Sequence, residues 1–195
     1  WRKLDREMAY PTEFVEELTA AGWLSVLIPE EYGGAGLPLS AAAAVLEEMQ
    51  SAGCNGGACH AQMYTMGTVL RHGSESQKQK YLPAIASGDL RLQAFGVTEP
   101  SSGTDTGALK TTAKLDGDHF VVNGQKIWTS RAEHSDLMIL LARTTPLQEG
   151  MKKTAGLSVI LVDMREALGN GLTIRPIRTM MNHATTEVFF DNLRV

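Results

Sequence analysis

Phe95-Gly96-Val97-Thr98-Glu99-Pro100-Ser101-Ser102-Gly103-Thr104-Asp105-Thr106-Gly107 is where this chain changes character. Before it, apolar residues recur at helical spacing. After it, β-prone runs and turn signals take over. The run holds five hydroxyl residues, three glycines and two carboxylates, a composition suited to a polar ligand-facing loop. Gly103 and Gly107 allow close approach of a ligand or a positive φ. Successive N–H groups, with the Ser102 and Thr104 hydroxyls, are able to cradle a phosphate. No Gly-Lys-Ser/Thr follows, so this is not a Walker loop, and GxGxxG is absent, so it is not a Rossmann fingerprint. An ordinary polar loop between strands has the same local composition.

Working outward toward the N-terminus, helices are expected. Pro11 suits a helix N1 position, Phe14, Val15, Leu18 and Ala21 form one stripe, and Gly22 ends it. Ser40 is a candidate cap for a helix over 41–49, with Val45 and Met49 on one face. A further apolar helix is expected from Cys59 to Leu70, with Met63 and Met66 as packing residues. Ser74 is placed to cap a helix that runs to Ala86 and stops at Gly88. Toward the C-terminus the pattern predicts strands. Residues 108–115 and 119–122 read as a hairpin around Asp116-Gly117, and Asn123-Gly124 reads as a type I′ turn leading into 125–129. Residues 137–142 and 157–162 are nearly continuous apolar runs, and 172–177 and 187–190 follow. The polar stretch 144–154 reads as a mobile loop. The fold class is therefore α+β and multidomain: an all-α domain over 1–93, then a β-barrel-like domain over 94–195.

Composition narrows the function classes. The chain has 195 residues, enough to bury roughly 70% of its unfolded surface in one large or two small domains. A hydrophobic content of 43% with 21% charged residues fits a soluble globular protein. The net charge of −4 argues against a nucleic-acid binder. No apolar run is long enough for a membrane span, and no secretory leader is visible. Cys54, Cys59 and His60 lie close together, but no second Cys/His cluster completes a zinc site, so two reduced thiols and no metal are expected.

Four motifs carry a family resemblance. Val97-Thr98-Glu99-Pro100-Ser101-Ser102-Gly103-Thr104-Asp105 resembles the Thr-Glu-Pro-x-x-Gly-Ser-Asp motif of the acyl-CoA dehydrogenases. Lys126-Ile127-Trp128-Thr129-Ser130 resembles that family's Lys-x-Trp-Ile-Thr strand. Pro29-Glu30-Glu31-Tyr32-Gly33-Gly34 resembles its N-terminal turn, and Gly73-Ser74-Glu75-Ser76-Gln77-Lys78 its Gly-Ser-x-x-Gln-Lys helix start. The four occur in the family's order across much of the chain.

The resemblance implies an FAD-dependent enzyme that oxidises an acyl-CoA thioester between its α and β carbons. Phe95, Val97, Thr98, Trp128, Thr129 and Ser130 fall where the family holds the flavin ring, and Gly103 and Thr104 where it holds the pyrophosphate. Thr104 is also a tentative substrate contact. Glu99 and Asp105 read as carboxylates that order the loop by accepting backbone N–H groups, and not as an acid/base pair. The family's base is a Glu in a C-terminal helical domain, so no catalytic residue is assigned here. A first helix before Trp1 and a helical domain after Val195 are implied, as are an electron-transfer flavoprotein partner and a homodimer or homotetramer. A cytoplasmic location is expected, or a mitochondrial matrix one. Two departures stand out: Ser130 replaces the usual Thr, and Met180-Met181-Asn182-His183-Ala184-Thr185 replaces a segment with Gly and Asp, which leaves the acyl and CoA contacts there open. His183 reads as a surface or hydrogen-bonded side chain. Rival readings are an acyl-CoA oxidase or nitroalkane oxidase on the same fold, a DNA-associated alkylation-response flavoprotein, which the acidic balance opposes, and a non-catalytic scaffold.

Overall fold

The computed structural model describes residues 1–181 and 183–195. Asn182, in the divergent segment before the last strand, lies outside the described residues. The chain forms two compact units, Trp1–Gln93 and Ala94–Val195.

The first unit is helical: α1 (Arg2–Glu7), α2 (Thr12–Ala20), α3 (Leu39–Ser51), α4 (Gly57–His72) and α5 (Glu75–Ser87). Apolar side chains at helical spacing fill its interior. Val15, Leu24, Met49, Ala58 and Cys59 form one buried cluster, and Val26, Ala42 and Met63 another. α5 starts on a full capping box, in which Ser74 and Gln77 satisfy each other's backbone amides, and it ends at Gly88 with φ 88°. Ser40 is not a cap, because α3 begins at Leu39 after Pro38. Pro38 already fixes an extended entry to the helix, so the hydroxyl one residue later is inside it.

The second unit is a curled mixed sheet: β1 (Leu92–Gly96), β2 (Thr112–Asp116), β3 (His119–Ser130), β4 (Leu137–Arg143), β5 (Leu157–Asp163), β6 (Leu172–Pro176) and β7 (Thr185–Arg194), with the short α6 (Met164–Ala167) between β5 and β6. The strand order is β1-β4-β2-β3-β7-β6, with β5 also on β4. All pairings of β3 and β7 are antiparallel, and β2 meets β4 in parallel. Ala113, Val122, Met138, Leu140, Val162, Val188, Phe190 and their neighbours form the core of this half-barrel.

One expectation is overturned. Asn123-Gly124 is not a turn: β3 runs unbroken from His119 to Ser130. The hairpin before it closes one residue later than expected, with Asp116 opposite His119. At Asn123 the sheet instead carries a β-bulge, since Val122 faces Leu193 but Gly124 faces Phe190. The extra residue lies in β7, where Asn192 takes φ 50° and its amide donates to Asn123 Oδ1 at 2.9 Å. Gly124 is needed because Thr111 packs against it; a Cβ there would meet Thr111 Oγ1 at 2.5 Å and its Cα at 2.7 Å. The Asn-Gly pair thus serves side-chain pairing and close packing across strands, a tertiary demand that overrides the local turn preference.

A bulge set by close packing makes a testable contrast. Gly124→Ala is expected to cost about 3 kcal/mol, at the upper end of overpacking, because the added Cβ meets the Thr111 backbone. Gly117→Ala, at a turn with φ 66° and no atom within 4 Å of the added Cβ, should cost about 1 kcal/mol. Urea unfolding of the two variants measures the difference; equal losses would contradict the bulge packing.

Candidate functional site

The site begins with a buried lysine. Lys126 sits on the inward face of β3, in period-two register with Val122, and its side chain is fully buried. An isolated ammonium there would be prohibitively costly, so it must be paired. Its Nζ donates to Glu99 Oε1 at 2.9 Å and to the Val97 carbonyl at 3.0 Å. Glu99 is equally buried and also accepts the amides of Lys110 at 2.6 Å and Thr111 at 2.8 Å. Burial pushes the Glu99 carboxyl up, but hydrogen bonds from Thr111, Lys110 and Lys126 outweigh it and hold the group below its ordinary value of 4.5. Burial lowers the Lys126 ammonium, and Glu99 only partly restores it. Glu99 is therefore a loop-ordering carboxylate and has no free oxygen face for proton transfer.

This pair fixes two backbone segments against each other. Just after Lys126, β3 bulges: Lys126 faces Val188 and Thr129 faces Thr186, so Ile127 and Trp128 share Glu187 as opposite neighbour. Trp128 takes φ 61°, an outlier for a bulky side chain. The Ile127 amide donates to the Thr98 carbonyl at 2.9 Å, which brings Thr98 beside the bulge.

The bulge decides which side chains face out. Trp128 is 58% exposed and Phe95 39%, unusual openness for aromatic residues in strands. Val97, Thr98 and Ser130 are half-buried. Neither the amide nor the hydroxyl of Thr98 has a hydrogen-bond partner among the described residues. Thr129 turns the other way. Its side chain is 1% exposed and points into the sheet interior, while its carbonyl accepts the Thr186 hydroxyl at 2.8 Å. The alternation of strand side chains puts it on the face opposite to Trp128 and Ser130, so any part it takes at the outer face runs through its backbone.

The loop that follows is ordered from within. Ser102 and Glu99 exchange backbone hydrogen bonds, and the Ser102 hydroxyl donates to the Asp105 carbonyl at 2.6 Å. Asp105 accepts from Lys153 at 2.8 Å, and that bond holds its carboxyl below the usual range. Arg143 donates to the carbonyls of Gly107, Lys153 and Ala155, each at 2.9 Å, which ties down the stretch expected to be mobile. Gly103 and Thr104 are exposed on this loop. Neither Gly103 nor Gly107 has a positive φ. Gly107 is required by packing, since a Cβ would lie 2.8 Å from that of Lys153, whereas the space around Gly103 is open.

Thr98, whose amide and hydroxyl find no partner among the described residues, thus lies beside the bulge that turns the Trp128 ring outward. That donor set fits a flat heteroaromatic ring with acceptors along one edge, as a flavin has. In the sequence Lys126 has a place in the motif but no assigned role, and Arg143 and Lys153 do not stand out; all three hold this surface without forming it. Cys54 and Cys59, in the helical unit, are not joined in a disulfide. Among the described residues no group of three His, Cys, Asp or Glu side chains is placed to share a metal ion, and no helix is long and apolar enough to cross a membrane.

Comparison with known proteins gives the same picture across the chain. Residues 94–193 match the model of the acyl-CoA dehydrogenase middle domain, and residues 1–89 that of the N-terminal domain. The chain belongs to the acyl-CoA dehydrogenase family. It is 36% identical over 187 residues to acyl-CoA dehydrogenase FadE26 of Mycobacterium tuberculosis, covering 94% of this chain and 44% of that protein. The fold superposes on an acyl-CoA dehydrogenase from Geobacillus kaustophilus with a TM-score of 0.90 and 28% identity, over 100% of this chain and 51% of the other. The Tcur3481-Tcur3483 steroid ACAD is similar at 39% identity and a TM-score of 0.82, over 94% and 46% of the two chains. The chain thus spans about half the length of these acyl-CoA dehydrogenases.

The ion pair has a pH signature. The folded Glu99 carboxyl titrates below its unfolded value, so the folded state holds fewer protons between the two. The stability it contributes is complete above the unfolded value and is lost as pH falls through the folded one. Glu99→Ala is expected to cost about 3–5 kcal/mol, because Lys126 is left buried without its partner. It should also flatten the acid-side loss of stability. Urea unfolding of parent and variant at a series of pH values checks both; an unchanged acid slope would contradict the assignment.

Proposed function

We propose that this chain supplies the flavin-ring face of an FAD-dependent enzyme that dehydrogenates an acyl-CoA thioester between Cα and Cβ. The observation that carries the reading is the outward surface of Thr98, Trp128 and Ser130, fixed from behind by the buried Lys126–Glu99 pair. FAD, when bound, supplies acceptance of the hydride from Cβ while a carboxylate removes the α-proton. The chain's own residues bind and orient. Trp128 covers a ring face, Thr98 and Ser130 hydrogen-bond its polar edges, and Gly103 with Thr104 meets the pyrophosphate. Phe95 and Val97 line the ring's apolar side and exclude water from it.

The base is proposed to come from sequence outside these 195 residues. Glu99 is held by three donors and Asp105 by Lys153, which leaves neither suited to abstract a proton. An acyl-CoA substrate, an electron-transfer flavoprotein as acceptor and a homo-oligomer complete the proposal. Turnover of the full-length protein with butyryl-, glutaryl- and steroid-acyl-CoA, with a dye and with O2 as acceptors, tests it. Dye reduction without O2 consumption supports a dehydrogenase, and O2-dependent turnover would make it an oxidase.

Residues 1–195 alone should neither reduce dye with any acyl-CoA nor retain FAD tightly; turnover above background by this piece would overturn the placement of the base. In the full-length protein, Trp128→Gly should relax the backbone strain at φ 61° and hold or raise stability by about 1 kcal/mol, while weakening FAD retention. Thermal unfolding of apoprotein and flavin content after gel filtration report the two effects. A variant with normal FAD content would remove Trp128 from the ring face.

A further inference from the structure

The Lys126 ammonium does more than satisfy Glu99. Its second bond goes to the Val97 carbonyl at 3.0 Å, in the interior. That carbonyl and the Thr98 N–H belong to one peptide plane, and no cis peptide bond occurs among the described residues. In a trans peptide the C=O and N–H point in opposite directions. Val97 C=O points inward to the lysine, so the Thr98 N–H points outward, where no group among the described residues accepts it. A cation on the oxygen of a peptide draws electron density through the conjugated O–C–N unit. The amide hydrogen at the far end then becomes a stronger donor, the cooperative effect known for chained hydrogen bonds in a low-dielectric setting.

We infer that Lys126 is a positioning and tuning residue for the bound electron-accepting ring, acting through the Val97–Thr98 peptide. This rests on the proposed flavin-ring face. The Thr98 N–H meets an acceptor on the pyrimidine edge of the ring. Reduction adds negative charge to that edge, so a polarised donor favours the reduced form and raises the potential. Glu99 is the counter-charge: it fixes Lys126 in place and offsets part of its field. Its distance to Nζ is nearly that of the carbonyl, 2.9 Å against 3.0 Å, so both share the ammonium. The strained bulge at Trp128 follows immediately in the chain, and the Ile127 amide clamps the Thr98 carbonyl. The donor is therefore held on both sides, and its field is fixed before the ligand arrives.

The sign pattern separates this from a purely structural role. The experiment uses full-length protein loaded with FAD, with redox potentials measured at about pH 6 to favour the charged form of Lys126, which burial lowers from its ordinary value of 10.5. Lys126→Met should lower the potential, shifting the oxidised-to-reduced ratio at fixed poise about tenfold, or about 30 mV for a two-electron couple. Lys126→Arg should restore most of it. Glu99→Gln, which leaves the cation less compensated, should shift the potential upward. Shifts of the same sign in Lys126→Met and Glu99→Gln, or no shift at normal flavin content, overturn the inference. If neither variant holds flavin, hydrogen exchange of the parent decides: protection of the Thr98 amide on loading with FAD is expected, and an unchanged exchange rate overturns it. Failure of the parent to bind FAD at all would instead sink the proposed function itself.

Discussion

The Lys126–Glu99 ion pair is the constraint on which the rest of the candidate site depends. Two charges taken out of water are tolerated only when every lone pair and proton finds a partner. Here the amides of Lys110 and Thr111 and the carbonyl of Val97 supply most of those partners. Satisfying it draws three separate stretches of chain together: 97–99, 110–111 and the middle of β3. Each of these then presents its other side outward. A hydrophobic pair of equal volume could fill the same space, but it would not specify which peptide faces which way.

Strain is concentrated where the pair makes it affordable. Trp128 holds a left-handed backbone conformation two residues after the anchored lysine, and two residues of β3 share one opposite neighbour. Such a conformation persists only when its surroundings over-determine it. The consequence is a large aromatic ring turned out of the sheet instead of being packed in its core. A strand aromatic that costs backbone strain and stays 58% exposed fits the proposed ring-covering role, and the chain belongs to the acyl-CoA dehydrogenase family.

Much of this was legible in the residues. The helical first half, its capping box at Ser74 and Gln77, the change of period near residue 92 and the two motifs around Thr98 and Trp128 all follow from local chemistry. Four things did not. Asn123-Gly124 has the residues of a tight turn, yet the Asn192 amide and the approach of Thr111 use them inside a continuous strand. Thr129 belongs to the right motif, but the bulge sets which neighbours turn outward, and strand alternation then buries its side chain. Lys126 stands in the motif, but its burial is not expected from its type, because lysine is rarely buried. Its register with Val122 was the available signal, since both fall on the inward face of a strand with period two. Arg143 and Lys153, which order the loop from 102 to 107, lie too far along the chain to be matched to it by spacing.

The most direct measurement of the account is a crystal structure of the full-length protein loaded with FAD. The account predicts the isoalloxazine ring lying against Trp128, with a pyrimidine-edge acceptor about 2.9 Å from the Thr98 amide nitrogen and the Lys126–Glu99 pair intact behind it. A flavin bound elsewhere, with Thr98 and Trp128 left in solvent, would contradict it.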